Sequence, residues 1–391
     1  MTNTTATGVV TTAQSFGNLK HVLDNLLRQV TKGDLNYESV MQMKEDYKIL
    51  SKQHGDLKRE HTKMKKQKAI PAHLVVTGEP GAGLVKEMEI AKLFGIPNHD
   101  AIPTITWENP HPLVEMLDDN YQPDLKVLTT ILEGISLNLN TWIYGPTGCG
   151  KDAAINYVSA KTGLPVYRIS CDADISRAEL IGRDKLEGDG KGGTKSTMIE
   201  GLLVKALKQP CLLVLDEIDF MREDVAYVLQ TVLNEGKLTL LENGGEIIHR
   251  NPLCHVIATA NTNGLTDPLN MYPGSRQQSA AFLDRFNNWV AASYMDDYTG
   301  LIADVSGFTP AQCKPFNAFV HDYHRMFFNG DIRTPLSNRA ILTISEKAST
   351  AYGNLNFLEA FQLGIESTLL ARLEESEHPR IVELMNKRVK A

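Results

Sequence analysis

Cysteine is scarce in this chain. Five residues (Cys149, Cys171, Cys211, Cys254, Cys313) are scattered over 391 positions, an odd number with no CxxC spacing. That pattern excludes a disulfide framework and a zinc knuckle, and it points to a reducing compartment. Positive charge is not in excess either. Lys and Arg total 40 against 47 Asp and Glu, a formal net charge of -7. Bulk electrostatics therefore do not recruit nucleic acid or an anionic membrane. No apolar run approaches the roughly 20 residues needed to cross a bilayer. The opening MTNTTATGVVTTAQSFG is polar and lacks a basic-then-apolar signal pattern. A soluble, cytoplasmic protein is expected. Hydrophobic residues at 42% and charged residues at 22% are an ordinary globular mix.

The organisation expected along the chain is fourfold. Residues 1–70 form a tail and a helical extension. Within it, Leu19, Val22, Leu23, Leu26, Leu27 and Val30 share one helix face. Val40, Met43, Tyr47, Leu50, His54, Leu57, His61 and Met64 follow heptad spacing. That second helix reads either as a surface-packed helix with a solvated basic face or as a coiled-coil arm. Residues 71–123 read as a connector: a short strand at 72–77, an amphipathic helix at 85–94, and an extended Pro-, Asn- and Asp-rich stretch from 95. Gly78 to Leu84 resembles a phosphate loop without its lysine and is taken as a turn. Residues 124–295 alternate short apolar strands with helices, the pattern of a parallel sheet covered on both faces. Residues 296–391 are dominated by helical patterns, at 311–328, 338–352, 357–374 and 379–389.

The strand-like Thr141–Tyr144 runs into Gly145, Pro146, Thr147, Gly148, Cys149, Gly150, Lys151 and Asp152, and then into a helical segment. This is a GxxxxGK phosphate loop in the required strand–loop–helix setting. Glycines let backbone N–H groups turn toward phosphates, the helix N-terminus favours negative charge, and Lys151 supplies an ammonium. One position departs from the pattern. The residue after the lysine is normally Ser or Thr, whose hydroxyl ligates magnesium, and here it is Asp152. A carboxylate is a good hard ligand for Mg2+. It also places negative charge beside a polyanion. Both a working site with an altered metal shell and a slow, binding-only site are compatible with it. Cys149 sits where a helix N-terminus can lower a thiol pKa. It reads as a tolerated loop residue that sensitises the protein to thiol reagents.

Cys211–Leu215 is an apolar strand ending in Asp216, Glu217, Ile218 and Asp219. Ligands of doubly wound sheets bind at such carboxyl ends. Asp216 is placed to hold hydrated magnesium, and Glu217 to polarise an attacking water. A further strand at 254–259 leads to Asn261, expected to position that water, with Asn263 as the fallback. Arg285, in the segment FLDRF, would project toward a neighbouring subunit's nucleotide. Its plain alternative is a local salt bridge. Arg339 opens a helix and would reach back to the γ-phosphate. His321 and His324, at i and i+3, are read as a hydrogen-bonded or solvated face rather than a metal site.

Taken in order, these segments resemble AAA+ ATPases of the MoxR group, and most closely the CobS-like ATPase subunit of cobaltochelatase. The likeness runs from about residue 94 to residue 346. It is carried by LFGIP (94–98), YGPTGCGKD (144–152), DISRAELIGRD (174–184), LVLDEIDFMREDVAYVLQTVLNEGKLTLLENG (213–244), IATANTNGL (257–265), FLDRF (282–286) and TPLSNRAIL (334–342). The resemblance implies an α/β P-loop fold with a C-terminal helical lid, ATP and Mg2+ as ligands, and a homo-oligomeric ring, expected to be a hexamer. It implies a protein partner, for which a von Willebrand A-domain protein is the family's example. It makes Asp216 and Glu217 the Walker B pair, Asn261 sensor 1, Arg285 the trans-acting arginine and Arg339 sensor 2. The departures are Asp152 and Asn338, where the family usually has Ser/Thr and Pro. Two insertions are expected to face a pore or partner: the glycine-rich Gly182–Met198 segment, and a hairpin at 238–248 built on an Asn-Gly turn. Three functions are in view: an ATP-driven remodelling motor, the ATPase of a cobalt-inserting chelatase, and an ATP-gated scaffold that barely hydrolyses.

Overall fold

The structure, a computed structural model, describes residues 75–78, 81–118, 121–188, 194–265, 271–352 and 355–389. All of them fall within one compact unit, Ala72–Ala391. The expected N-terminal tail and heptad helix lie outside the described residues.

A five-stranded parallel sheet forms the centre. Its strands are β4 (Thr141–Tyr144), β5 (Val166–Ser170), β8 (Cys211–Asp216), β11 (Cys254–Ala260) and β12 (Asn288–Ala291), in the spatial order β12-β4-β11-β8-β5. Each residue of the central strand β11 is buried, as expected for a strand covered on both faces. The register pairs Ala260 with Tyr144, Ala258 with Leu215, and Ser170 with Asp216. The ends of β4, β8, β11 and β5 therefore lie along one edge. Helices α2 (Leu125–Leu137), α3 (Lys151–Thr162), α4 (Arg177–Ile181), α5 (Leu202–Leu207) and α6 (Glu223–Glu235) accompany the sheet. Trp142, fully buried on β4, stacks on Trp289 and meets Phe286 edge-on, each at a centroid distance of 5.0 Å.

Residues 85–94 are a different matter from the helix their spacing predicts. β1 (Val75–Gly78), β2 (Gly81–Glu89) and β3 (Ala101–Trp107) make a small antiparallel sheet, and only Ile90–Phe94 is helical (α1). β3 also replaces part of the expected extended connector. The reason is tertiary. Glycines at 81 and 83 disfavour helix, while Val85, Ile102 and Ile105 are buried together once β3 pairs with β2. Pro103 is tolerated because β3 is an edge strand. The sheet is tied to the core by Trp107, whose Nε1 donates to the Gly163 carbonyl at 2.8 Å.

The two insertions are hairpins: β6 (Gly182–Gly188) with β7 (Thr194–Glu200), and β9 (Lys237–Leu240) with β10 (Glu246–His249). The second does not turn on a two-residue Asn-Gly pair. Its loop is a 3-10 turn at Leu241–Asn243 followed by Gly244 and Gly245, both at positive φ. The left-handed positions thus fall on the two glycines, one residue later than expected.

Beyond the sheet come α7 (Ala280–Leu283), α8 (Thr299–Ser306), α9 (Pro310–Phe328), α10 (Asn338–Ala351), α11 (Phe357–Thr368) and α12 (His378–Arg388). The helix expected at 357–374 ends at Thr368 and gives way to a 3-10 turn at Leu370–Arg372. Phe316 and Phe361 stack at 4.7 Å in the core of this helical layer. Buried Asp322 accepts from Arg325 and from Arg388, each at 2.8 Å. His324 stacks flat on Tyr294 at 3.9 Å, and its Nε2 donates to the Leu336 carbonyl at 2.8 Å. Its partner in the i, i+3 pair, His321, is exposed and bonds the Asp296 carbonyl instead.

Burial lowers the His324 pKa from 6.5 to about 4. The unfolded chain therefore binds this proton first, and stability contributed by neutral His324 is lost as pH falls from 6.5 toward 4. The contribution lost by pH 5 is about 2 kcal/mol. His324→Gln, though less stable at pH 7, is expected to lose less between pH 7 and 5 in urea unfolding. Parallel losses in the two proteins would contradict this.

Candidate nucleotide site

Gly145 leaves β4 at φ 155°, and a Cβ there would stand 2.2 Å from the Ala292 carbonyl oxygen. Gly148, at φ 70°, packs so closely on Ser337 that a Cβ would meet the serine Cβ at 2.3 Å. Only glycine fits either place. The loop then enters α3 at Gly150, and no side chain caps that helix. An uncapped helix start is a seat for anionic oxygen.

Lys151 curls back over the loop. Its Nζ donates to the carbonyls of Gly145 at 2.7 Å and Pro146 at 3.2 Å, and to Asn261 Oδ1 at 3.3 Å. Thr147 Oγ1 donates to the same Asn261 oxygen at 3.2 Å. Asn261 thus meets the phosphate loop at Thr147 and at Lys151. Asn263 does not: its Oδ1 accepts from its own neighbour Leu265 N at 3.2 Å. Cys149 is buried, and burial raises its pKa against the opposing pull of Lys151. It is not the activated thiol its place near a helix start suggested.

At the next tip, Asp216 accepts a hydrogen bond from the Thr259 hydroxyl. Glu217 takes a left-handed backbone, φ 54°, which among the described non-glycine residues only Asn138 shares. Such strain concentrates at functional sites. The Glu217 carboxyl pKa is raised, first by burial and then by the neighbouring charge of Asp216. Asp152 does not stand alone. Its Oδ1 accepts from Arg168 Nη1 at 2.7 Å, and the same nitrogen lies 3.4 Å from Asp216 Oδ2. Asp152 and Asp216 thus present oxygen to one cationic centre. That all-oxygen donor set suits a hard divalent ion.

Arg285 is half-buried in the turn that follows α7, and its Nη1 donates to the Ala281 carbonyl of that helix. No carboxylate pairs with it among the described residues. Arg339 is exposed on the first turn of α10. That turn sits on the phosphate loop, because Asn338 N donates to the Gly148 carbonyl at 2.9 Å. Proline could not make this bond. The Asn338 side chain in turn accepts from Tyr298 OH at 2.7 Å, and Tyr294 OH donates to the Thr147 carbonyl at 2.9 Å.

Sequence reasoning missed Arg168, Thr259 and Asp219. Nothing local marks an arginine in VYRIS or a threonine in a buried strand. Asp219 is fully buried. Its Oδ2 accepts from Asn261 N and Thr262 N, each at 3.0 Å, and from Thr262 Oγ1 at 3.1 Å. One carboxylate thus ties the acidic turn to the Asn261 tip, and burial, partly offset by these bonds, raises its pKa. Asp219→Ala is expected to cost about 3 kcal/mol in urea unfolding, because two amides lose a charged acceptor. Asp219→Asn, which keeps an acceptor oxygen, should cost less. An Ala variant as stable as the parent would refute the tie.

Comparison with known proteins agrees with this geometry. Residues 140–286 match the AAA domain (dynein-related subfamily). The aerobic cobaltochelatase subunit CobS of Sinorhizobium sp is 32% identical over 305 residues, which cover 76% of this chain and 88% of that protein. The protein NorQ of Paracoccus denitrificans is 31% identical over 152 residues, 39% of this chain and 54% of NorQ. The protein CbbQ of Hydrogenophilus thermoluteolus is 26% identical over 137 residues, 35% of this chain and 49% of CbbQ. A strand-tipped phosphate loop, paired acids on the neighbouring tip and this extent of likeness to CobS have one explanation: the chain belongs to the MoxR-type, CobS-like AAA+ ATPases.

Proposed function

We propose that this protein binds Mg-ATP at the Gly145–Asp152 loop and hydrolyses it between subunits of a ring, a hexamer in the reading we favour, to remodel a partner protein. The observation that carries the proposal is the meeting of three strand ends: Lys151 and Thr147 after β4 both reach Asn261 after β11, while Asp216 and Glu217 end β8 beside them. Lys151 and the amides of the loop hold the phosphates. Asp152 and Asp216 would hold magnesium, which would supply positive charge to offset that of the phosphates. Glu217 accepts a proton from the attacking water, and its raised pKa suits a base. Asn261 positions that water. Arg285 swings from the turn after α7 to a neighbour's γ-phosphate on assembly, and Arg339 reports phosphate to the helical layer through α10. The protein works in the cytoplasm with a partner for which a von Willebrand A-domain protein is our first candidate.

Two other readings have specific support. The likeness to CobS favours a cobalt-inserting chelatase, which requires further subunits. Asp152, already engaged by Arg168, favours an ATP-gated scaffold with weak hydrolysis. Phosphate release by the purified protein separates motor from scaffold. Glu217→Gln should retain nucleotide and slow turnover by at least about 100-fold. An unchanged steady-state rate would remove Glu217 from the mechanism. Arg285→Ala should lower turnover about 10³-fold, and only at protein concentrations where the parent assembles. A parent whose rate per chain does not rise with concentration would argue against a shared site.

A further inference from the structure

The Arg168 guanidinium joins the phosphate loop to the acidic strand end. It lies on β5, at the sheet position paired with Val214. Its Nη1 bonds Asp152 Oδ1 at 2.7 Å and approaches Asp216 Oδ2 at 3.4 Å. Its Nη2 donates to Asn156 Oδ1 at 3.2 Å, one turn further along α3. The planar fork is therefore held at two levels of one helix and at the tip of a neighbouring strand. A lone surface pair has no such bracing.

This placement answers the question raised by Asp152. A hydroxyl at the position after Lys151 is neutral and can lie beside a triphosphate without penalty. A carboxylate there repels it. We infer that Arg168 is a positioning residue that makes Asp152 compatible with a polyphosphate: it offsets the charge of that carboxylate and fixes its orientation, so that Arg168 and Asp152 together stand in for the usual hydroxyl. The inference rests on the reading of this loop as a nucleotide site. The Asp152 side chain is 56% exposed, so the pair adds little to folding stability. Its consequence is local, in the charge met by the ligand.

The test is titration of a fluorescent ATP analogue into the full chain, with EDTA and with excess Mg2+. Four proteins are compared: parent, R168A, D152T and R168A/D152T. Circular dichroism checks that each is folded, and R168Q, which keeps a donor for Asp152 without the charge, serves as a second charge-removing variant. In EDTA, R168A is expected to weaken binding at least tenfold relative to the parent, and R168Q to weaken it in the same direction. R168A/D152T should bind within twofold of D152T, because no carboxylate then needs a partner. Excess Mg2+ should narrow the gap between parent and R168A. Equal losses in both backgrounds would mean that the arginine touches phosphate itself and would overturn the inference. So would the absence of loss in either. A folded parent that binds no nucleotide would sink the reading of the site as well, whereas equal losses beside a binding parent sink this inference alone.

Discussion

Parallel strands can end at the same edge only if every connection crosses back over the sheet. That constraint underlies the site. β4, β8 and β11 are adjacent and parallel, so each delivers its following residues to one edge: the phosphate loop, the acidic pair and Asn261. Ligands of doubly wound sheets gather at such edges for this reason. The side chains there are then fixed by hydrogen bonds that run between tips. Asp219 receives the amides of Asn261 and Thr262, Thr259 holds Asp216, and Lys151 and Thr147 hold Asn261. Few of these partners are close in sequence. The site exists because of the register.

The helical layer is built onto the same edge. Asn338 at the start of α10 bonds Gly148, Tyr294 bonds Thr147, and Tyr298 bonds Asn338. The phosphate loop is thereby clasped between its own strand and the first turn of a helix nearly two hundred residues later in the chain. A loop that reshapes around phosphate would shift α10 directly, with no intermediary. Asn338 uses both its backbone N–H and its side-chain oxygen in this clasp.

Much of the site was legible from local chemistry. The GxxxxGK loop needs glycine where the backbone turns left-handed or approaches another chain segment, and Gly145 and Gly148 do both. The apolar run before Asp216 reads as a strand buried on both faces, and β8 is buried from Cys211 to Leu215. Asn261, preferred over Asn263, is the amide that meets Lys151. Less was legible where meaning depends on a distant partner. Residues 85–94 carry a spacing that fits a helix, yet pairing with β3 makes the first half of them strand. Cys149 sits by a helix start, but burial outweighs that effect on its thiol.

The sequence by itself determined the phosphate loop, the paired acids and the alternation that makes a parallel sheet, because each of these depends on residue type and near-neighbour spacing. Only the tertiary structure decided that Arg168 answers Asp152, that Asp219 pins Asn261, and that α10 rests on Gly148. Those relations join segments that come together through sheet register and helix packing, and hydrogen bonds reach about 3 Å whatever the distance along the chain.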